Sequence, residues 1–127
     1  MTKELDFDAI KAAAESHRAD MTRFLRAMIS HPSESCEEGE VVACIKAEME
    51  SLGYDEVKVD GLGNVMGFMG EGDKIIAIDS HIDTVGIGNI ENWDADPYEG
   101  YETERSSTAA AALTRRAVWL PLPMLPR

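Results

Sequence analysis

Apolar and polar positions follow a helical period over the first thirty residues. Phe7, Ile10, Ala14, His17, Met21, Phe24, Leu25 and Met28 recur at intervals of three and four, with three consecutive alanines and few β-branched residues among them. This predicts one amphipathic helix over 6–29, capped by Asp6 or Asp8 and closed at His31-Pro32, where proline disfavours helical geometry in the residue before it. His17 falls on the apolar stripe and reads as a core or boundary histidine. A polar loop, Ser33 to Gly39, follows, in which Ser35 and Glu38 have the spacing of a capping box. The next helix, 37–52, buries Val41, Val42, Ile45, Met49 and Leu52, and Gly53 supplies its left-handed stop. The period then drops to two. Val57 and Val59 predict a strand, Asp60-Gly61-Leu62-Gly63 a turn, and 64–69 a partner strand.

After a second turn, Gly70 to Asp73, the run KIIAIDSHID occupies 74–83. Its continuous β-branched stretch predicts a central strand over 74–79, buried on both faces of a largely parallel sheet and flanked by 64–69 or by another strand. The order α-α-β-β-β makes the fold class α/β. Polar chemistry sits where such a strand ends, the usual place for sites in open α/β sheets. His81 and Asp83, two residues apart, project to one side if extended. A carboxylate beside an imidazole fixes its tautomer, for a metal ligand, for a general base, or simply to satisfy a loop histidine. The H-x-D pair alone does not separate these. Glycines in the following loop, Gly86 and Gly88, form neither a dinucleotide fingerprint nor a P-loop.

Composition narrows the field. The 127 residues suffice for one modest domain, the hydrophobic fraction is 44%, and no apolar run is long enough to span a bilayer. A net charge of −12 offers no cationic face for nucleic acid. Cys36 and Cys44 read as reduced thiols, and with no signal-peptide pattern at the start the expected location is cytoplasmic. The charge is unevenly placed. Residues 1–104 hold all 24 acids and eight of the 12 basic residues, whereas 105–127 hold four arginines, no acid, none of the ten glycines and three of the five prolines.

Several residues together resemble the co-catalytic zinc metallopeptidase and deacylase family, which includes acetylornithine deacetylase, succinyl-diaminopimelate desuccinylase, aminoacylase and related carboxypeptidases. The residues are the Pro32-Ser33-x-Ser35 loop, Asp60-x-x-Gly63-Asn64-Val65, Ser80-His81-Ile82-Asp83-Thr84-Val85, and Trp93-x-x-Asp96-Pro97-Tyr98. The run from Gly86 to Glu104 looks most like the selenium-metabolism-linked hydrolase branch. The resemblance implies a zinc-dependent exopeptidase-like three-layer α/β sandwich with a mixed, largely parallel sheet, present here in part. It implies His81 as a metal ligand and Asp83 as the catalytic-site carboxylate that holds its imidazole. It implies two divalent ions, zinc with cobalt or manganese as substitutes, and a small N-acyl amino acid or peptide-like substrate. Full-length members are often homodimeric.

The chain departs from the family pattern after Glu104. The Y-G-R-G-x-x-D segment with its bridging aspartate, the catalytic Glu-Glu pair and the distant histidine are absent. Glu37-Glu38 lies before the first strands and takes a structural role. Re-reading the codons of Ser107 to Arg127 one base out of step allows YGRGGADPAGGMASAAYAAK, which contains the missing Y-G-R-G and aspartate. Trp119 and Met124 have single codons, and before a CTN leucine each forces alanine in that frame. Residues 1–104 are therefore expected to be the N-terminal part of a metallohydrolase domain and 105–127 an out-of-frame tail. By propensity 108–120 reads as a loosely docked helix with Ser106 or Ser107 as cap. One metal ligand cannot close a site that needs about three, so the chain alone is expected to be inactive. The rival readings are a non-catalytic binding or regulatory fragment of the same fold, and an unrelated small α/β binding domain that meets H-x-D by chance.

Overall fold

The computed structural model describes residues 6–99, 101–103 and 106–108. Three helices, α1 (Phe7–Ser16), α2 (Arg18–Ile29) and α3 (Gly39–Ser51), precede an antiparallel hairpin of β1 (Glu56–Val59) and β2 (Val65–Phe68). A single 3-10 turn, Ile90–Asn92, and a second hairpin of β3 (Tyr101–Thr103) and β4 (Ser106–Thr108) complete the described elements. None of the helices is long and apolar enough to cross a membrane among the described residues.

The predicted single helix over 6–29 is two. The Asp6 carboxylate caps α1 by accepting from the Ala9 amide at 3.0 Å. At His17 (φ −94°, ψ 0°) the amide reaches back three residues to the Ala14 carbonyl at 3.3 Å, which interrupts the helix, and α2 starts without a side-chain cap. The half-buried His17 marks the joint. The difference lies in packing. α1 buries no residue, and Phe7 and Ile10 stay 73% and 54% exposed, so nothing holds it in line with α2.

The core forms where α2 meets α3 and the hairpin. Phe24, Met28, Val41, Val42, Ile45, Met49 and Val65 make one buried cluster, with Met21, Leu25, Tyr54, Val57 and Ile82 packed around it. Full burial of each large aliphatic side chain contributes about 1.5–3 kcal/mol. An Arg23–Glu48 ion pair joins α2 to α3 at the surface, where such pairs add at most about 1 kcal/mol. Gly53 takes the left-handed stop (φ 76°) after α3, and Gly63 (φ 88°) closes the hairpin turn. In that turn one Asp60 oxygen accepts from the Leu62 and Asn64 amides, and the other from the Asn64 side chain at 2.8 Å. The register pairs Val57 with Gly67 and Val59 with Val65. Gly67 is glycine for space: a β-carbon there would sit 2.6 Å from the Tyr54 ring.

Residues 74–79 are not a strand. They run irregularly, and Ile75, Ile76 and Ile78 are 91%, 87% and 51% exposed. The expected neighbour, 64–69, contributes β2, which pairs with β1 alone. A parallel strand buried on both faces needs hydrogen-bonding neighbours and a cover on each side, and the described residues supply neither. The three-layer sandwich with a largely parallel sheet is therefore not formed among them; they make a helical layer against one two-stranded hairpin. Ser106 and Ser107 lie in β4, paired with Thr103 and Glu102. The helix expected over 108–120 falls, beyond Thr108, outside the described residues.

Candidate functional site

The site is assembled from two stretches far apart in sequence, the loop after α2 and residues 80–84. Ser33 is completely buried, and its hydroxyl donates to the Ile82 carbonyl at 3.2 Å and lies 3.4 Å from the Thr84 hydroxyl. The Thr84 amide donates back to the Ser33 carbonyl at 2.8 Å. With Ile82 packed against the core, these bonds anchor 82–84 although no strand pairs with it. Ile75, Ile76 and Ile78, a few residues earlier, have no such anchor.

Two residues on from Ser33, the Ser35 hydroxyl donates to Asp83 Oδ2 at 2.9 Å. The other carboxylate oxygen, Oδ1, lies 2.9 Å from His81 Nδ1. The sequence pattern cast Ser35 as half of a capping box; instead its hydroxyl meets a carboxylate, the stronger acceptor. Glu38 keeps its half in altered form, accepting from the Cys36 amide at 3.0 Å. Cys36 itself adopts a left-handed backbone (φ 73°), which for a residue other than glycine costs about 1–2 kcal/mol. It is the sharp bend between Ser35 and α3.

Ser35, then His81, holds the Asp83 carboxyl below its usual range by hydrogen bonding to the charged form. An ionised Asp83 can only accept, so the proton between it and His81 belongs on Nδ1. In the neutral ring that leaves Nε2 as the lone-pair nitrogen, the form in which imidazole binds a metal. The His81 side chain is half exposed and borders an open groove of about 1240 Å³ between the first hairpin and residues 75–83. Tyr54, Met66 and Phe68 line one part of the groove, and Ile76 and Ile78 another.

His81 and Asp83 are thus brought together as the spacing implied. Among the described residues, no three His, Cys, Asp or Glu side chains converge as a metal-holding group. The Trp93-x-x-Asp96-Pro97-Tyr98 stretch forms a turn. The Trp93 indole donates to the Ile87 carbonyl at 2.9 Å, Pro97 is fully buried, and Asp96 accepts from the Tyr98 and Glu99 amides. Sequence reasoning noticed Ser33 and Ser35 as a motif and missed their contact with 82–84, because no local pattern links positions 48 apart.

The chain is 57% identical over 104 residues to the uncharacterized protein YgeY of Escherichia coli (strain K12), and equally to that of Escherichia coli O157:H7. In each case the match takes in 82% of this chain and 26% of the relative, so the chain spans about a quarter of the length of these curated relatives. No family model and no solved structure matches it.

Proposed function

We propose that this chain is the N-terminal part of a metal-dependent hydrolase that cleaves amide bonds, N-acyl or peptide, in small substrates. In this reading His81 is a metal ligand through Nε2, and Asp83 orients its ring. The observation that carries the reading is the bond between His81 Nδ1 and an Asp83 carboxylate that Ser35 also holds, the arrangement that commonly fixes a metal-binding histidine. His81 fits one position of a zinc site, and the further ligands would come from the three quarters of the relatives' length that this chain does not span. When bound, a pair of divalent ions, zinc or in its place cobalt or manganese, would activate a water and polarise the amide carbonyl. The matched length of 104 residues equals the length of the stretch before the change in composition, which supports reading 105–127 as a tail out of frame. The setting would be cytoplasmic, in keeping with Cys36 and Cys44 standing as thiols outside any disulfide.

The test has two arms. The Escherichia coli K12 relative, purified with zinc, is expected to hydrolyse members of a panel of N-acyl amino acids and dipeptides, and to lose that activity to a chelator. The present chain is expected to bind zinc weakly, to lose that binding in His81→Ala, and to turn over none of the panel. A relative inert with every metal and substrate would overturn the reading. Tight zinc binding that survives His81→Ala would mean the ligands lie elsewhere. Turnover by the present chain would refute its incompleteness.

A further inference from the structure

We propose that Ser35 is a positioning residue, which sets the ring tautomer of His81 by fixing the orientation of Asp83, and that Ser33 holds the loop so that Ser35 can do this. The inference concerns the metal-ligand reading of His81 and deepens it, although the geometry that carries it contains no metal.

Asp83 is a short side chain, 41% exposed, on a segment without strand pairing. A carboxylate in that position has several accessible rotamers, and only some present an oxygen to His81 Nδ1. The backbone of 82–84 is held by Ser33 through the Ile82 carbonyl and the Thr84 amide, which fixes the position of the Asp83 Cα but leaves its side-chain torsions free. The Ser35 hydroxyl removes that freedom. By donating to Oδ2 at 2.9 Å it ties one oxygen to the loop, and Oδ1 is left 2.9 Å from Nδ1. The left-handed bend at Cys36 turns the chain into α3 immediately after Ser35. The two serines divide the work: the buried one sets where the carboxylate starts, and the exposed one sets which way it faces. A hydrogen bond to a charged group is stronger than a neutral one, so the Ser35–Asp83 bond is strong enough to bias a side chain on the surface.

Nitrogen-15 NMR of the His81 ring in the metal-free 127-residue chain tests this directly. In the neutral ring of the unsubstituted chain, the Nδ1–H tautomer is expected to dominate. Ser35→Ala should lower the ratio of Nδ1–H to Nε2–H by roughly threefold or more, the equivalent of losing one ordinary net hydrogen bond. Ser35→Thr, which retains the hydroxyl, should restore it. Methyl signals of Met28 and Ile45 report whether the fold is intact. Should Ser35→Ala disturb them, the near-isosteric Ser35→Cys, whose thiol is a weak donor, decides: a lowered Nδ1–H to Nε2–H ratio in folded Ser35→Cys supports the proposal, and an unchanged ratio overturns it. An unchanged tautomer ratio in a folded Ser35→Ala also overturns it. Because no metal is present, failure here leaves the hydrolase reading standing, and failure of zinc binding leaves this result standing.

Discussion

Two apolar regions of this chain reach opposite ends. In α2 and α3, residues such as Met28, Val41 and Ile45 are at most 1% exposed. In the run from Lys74 to Asp79, Ile75 and Ile76 are 87% exposed or more. The difference is in the partners each requires. A helix satisfies its backbone internally and needs only one neighbouring face, and a hairpin finds its partner a few residues away. A central parallel strand needs neighbours from distant parts of the chain and cover on two sides. The described residues complete the first kind of structure and leave the second kind open.

The largest expected effect tests this contrast at its centre. Met28→Ala or Ile45→Ala removes a fully buried side chain and should cost about 2–5 kcal/mol of unfolding free energy. Ile76→Ala, on the exposed run, should change it by no more than about 0.5 kcal/mol. Denaturant titrations of the three variants would measure both. A cost for Ile76→Ala comparable to that of Ile45→Ala would show that 74–79 is packed in solution, and the comparison would fail.

What was legible in the sequence follows the same division. Asp6 as a cap, Gly53 as a helix stop, Asp60 and Gly63 in a tight turn, and the pairing of Val57 and Val59 with residues of 64–69 are local facts, and the chemistry of a few adjacent residues decides them. The joint at His17 was not legible, because the apolar period runs through it unbroken and only the lack of a surface for α1 to pack against separates the two helices. The run at 74–79 has the composition of a buried strand, but composition cannot supply its neighbours. At the site, His81 and Asp83 were legible as a pair because they are two residues apart. Ser35 was assigned to a cap by an equally local pattern, and its actual partner lies across the fold.

A smaller effect sharpens the comparison at two glycines. Gly67, in β2, faces the Tyr54 ring, and an added β-carbon would lie 2.6 Å from two ring carbons and 3.0 Å from the Met49 sulfur. Gly67→Ala should therefore destabilise by about 1–3 kcal/mol, the range for overpacking. Gly72, in the irregular segment before the exposed run, has open space around its missing side chain and no left-handed backbone. Gly72→Ala should be neutral or slightly stabilising, since it reduces the freedom of the unfolded chain. Combining Gly67→Ala with Tyr54→Ala should remove the clash, giving a double mutant less destabilised than the two single costs added together. Strict additivity would mean the ring does not lie over Gly67.

The smallest effect expected is electrostatic, and its sign can be worked out for the hairpin turn. The Asp60 carboxyl is held below its usual range, first by the Asn64 side chain, then by the Asn64 and Leu62 amides, all of which donate to the ionised form. A carboxyl whose folded pKa is lowered contributes stability that is present above its unfolded value near 3.8 and is lost as the pH falls through the lower folded value. Acidification from neutral pH should thus weaken the first hairpin only once the pH drops below about 4, where Asp60 in the unfolded chain starts to take up protons that the folded chain still refuses. Asp60→Asn should abolish that component of the acid slope. Denaturant midpoints measured between pH 6 and pH 3 for this variant and the unsubstituted chain would read the difference. An acid slope untouched by Asp60→Asn would mean that the turn's bonds do not distinguish a charged carboxylate from a neutral one, and that other carboxylates carry the slope.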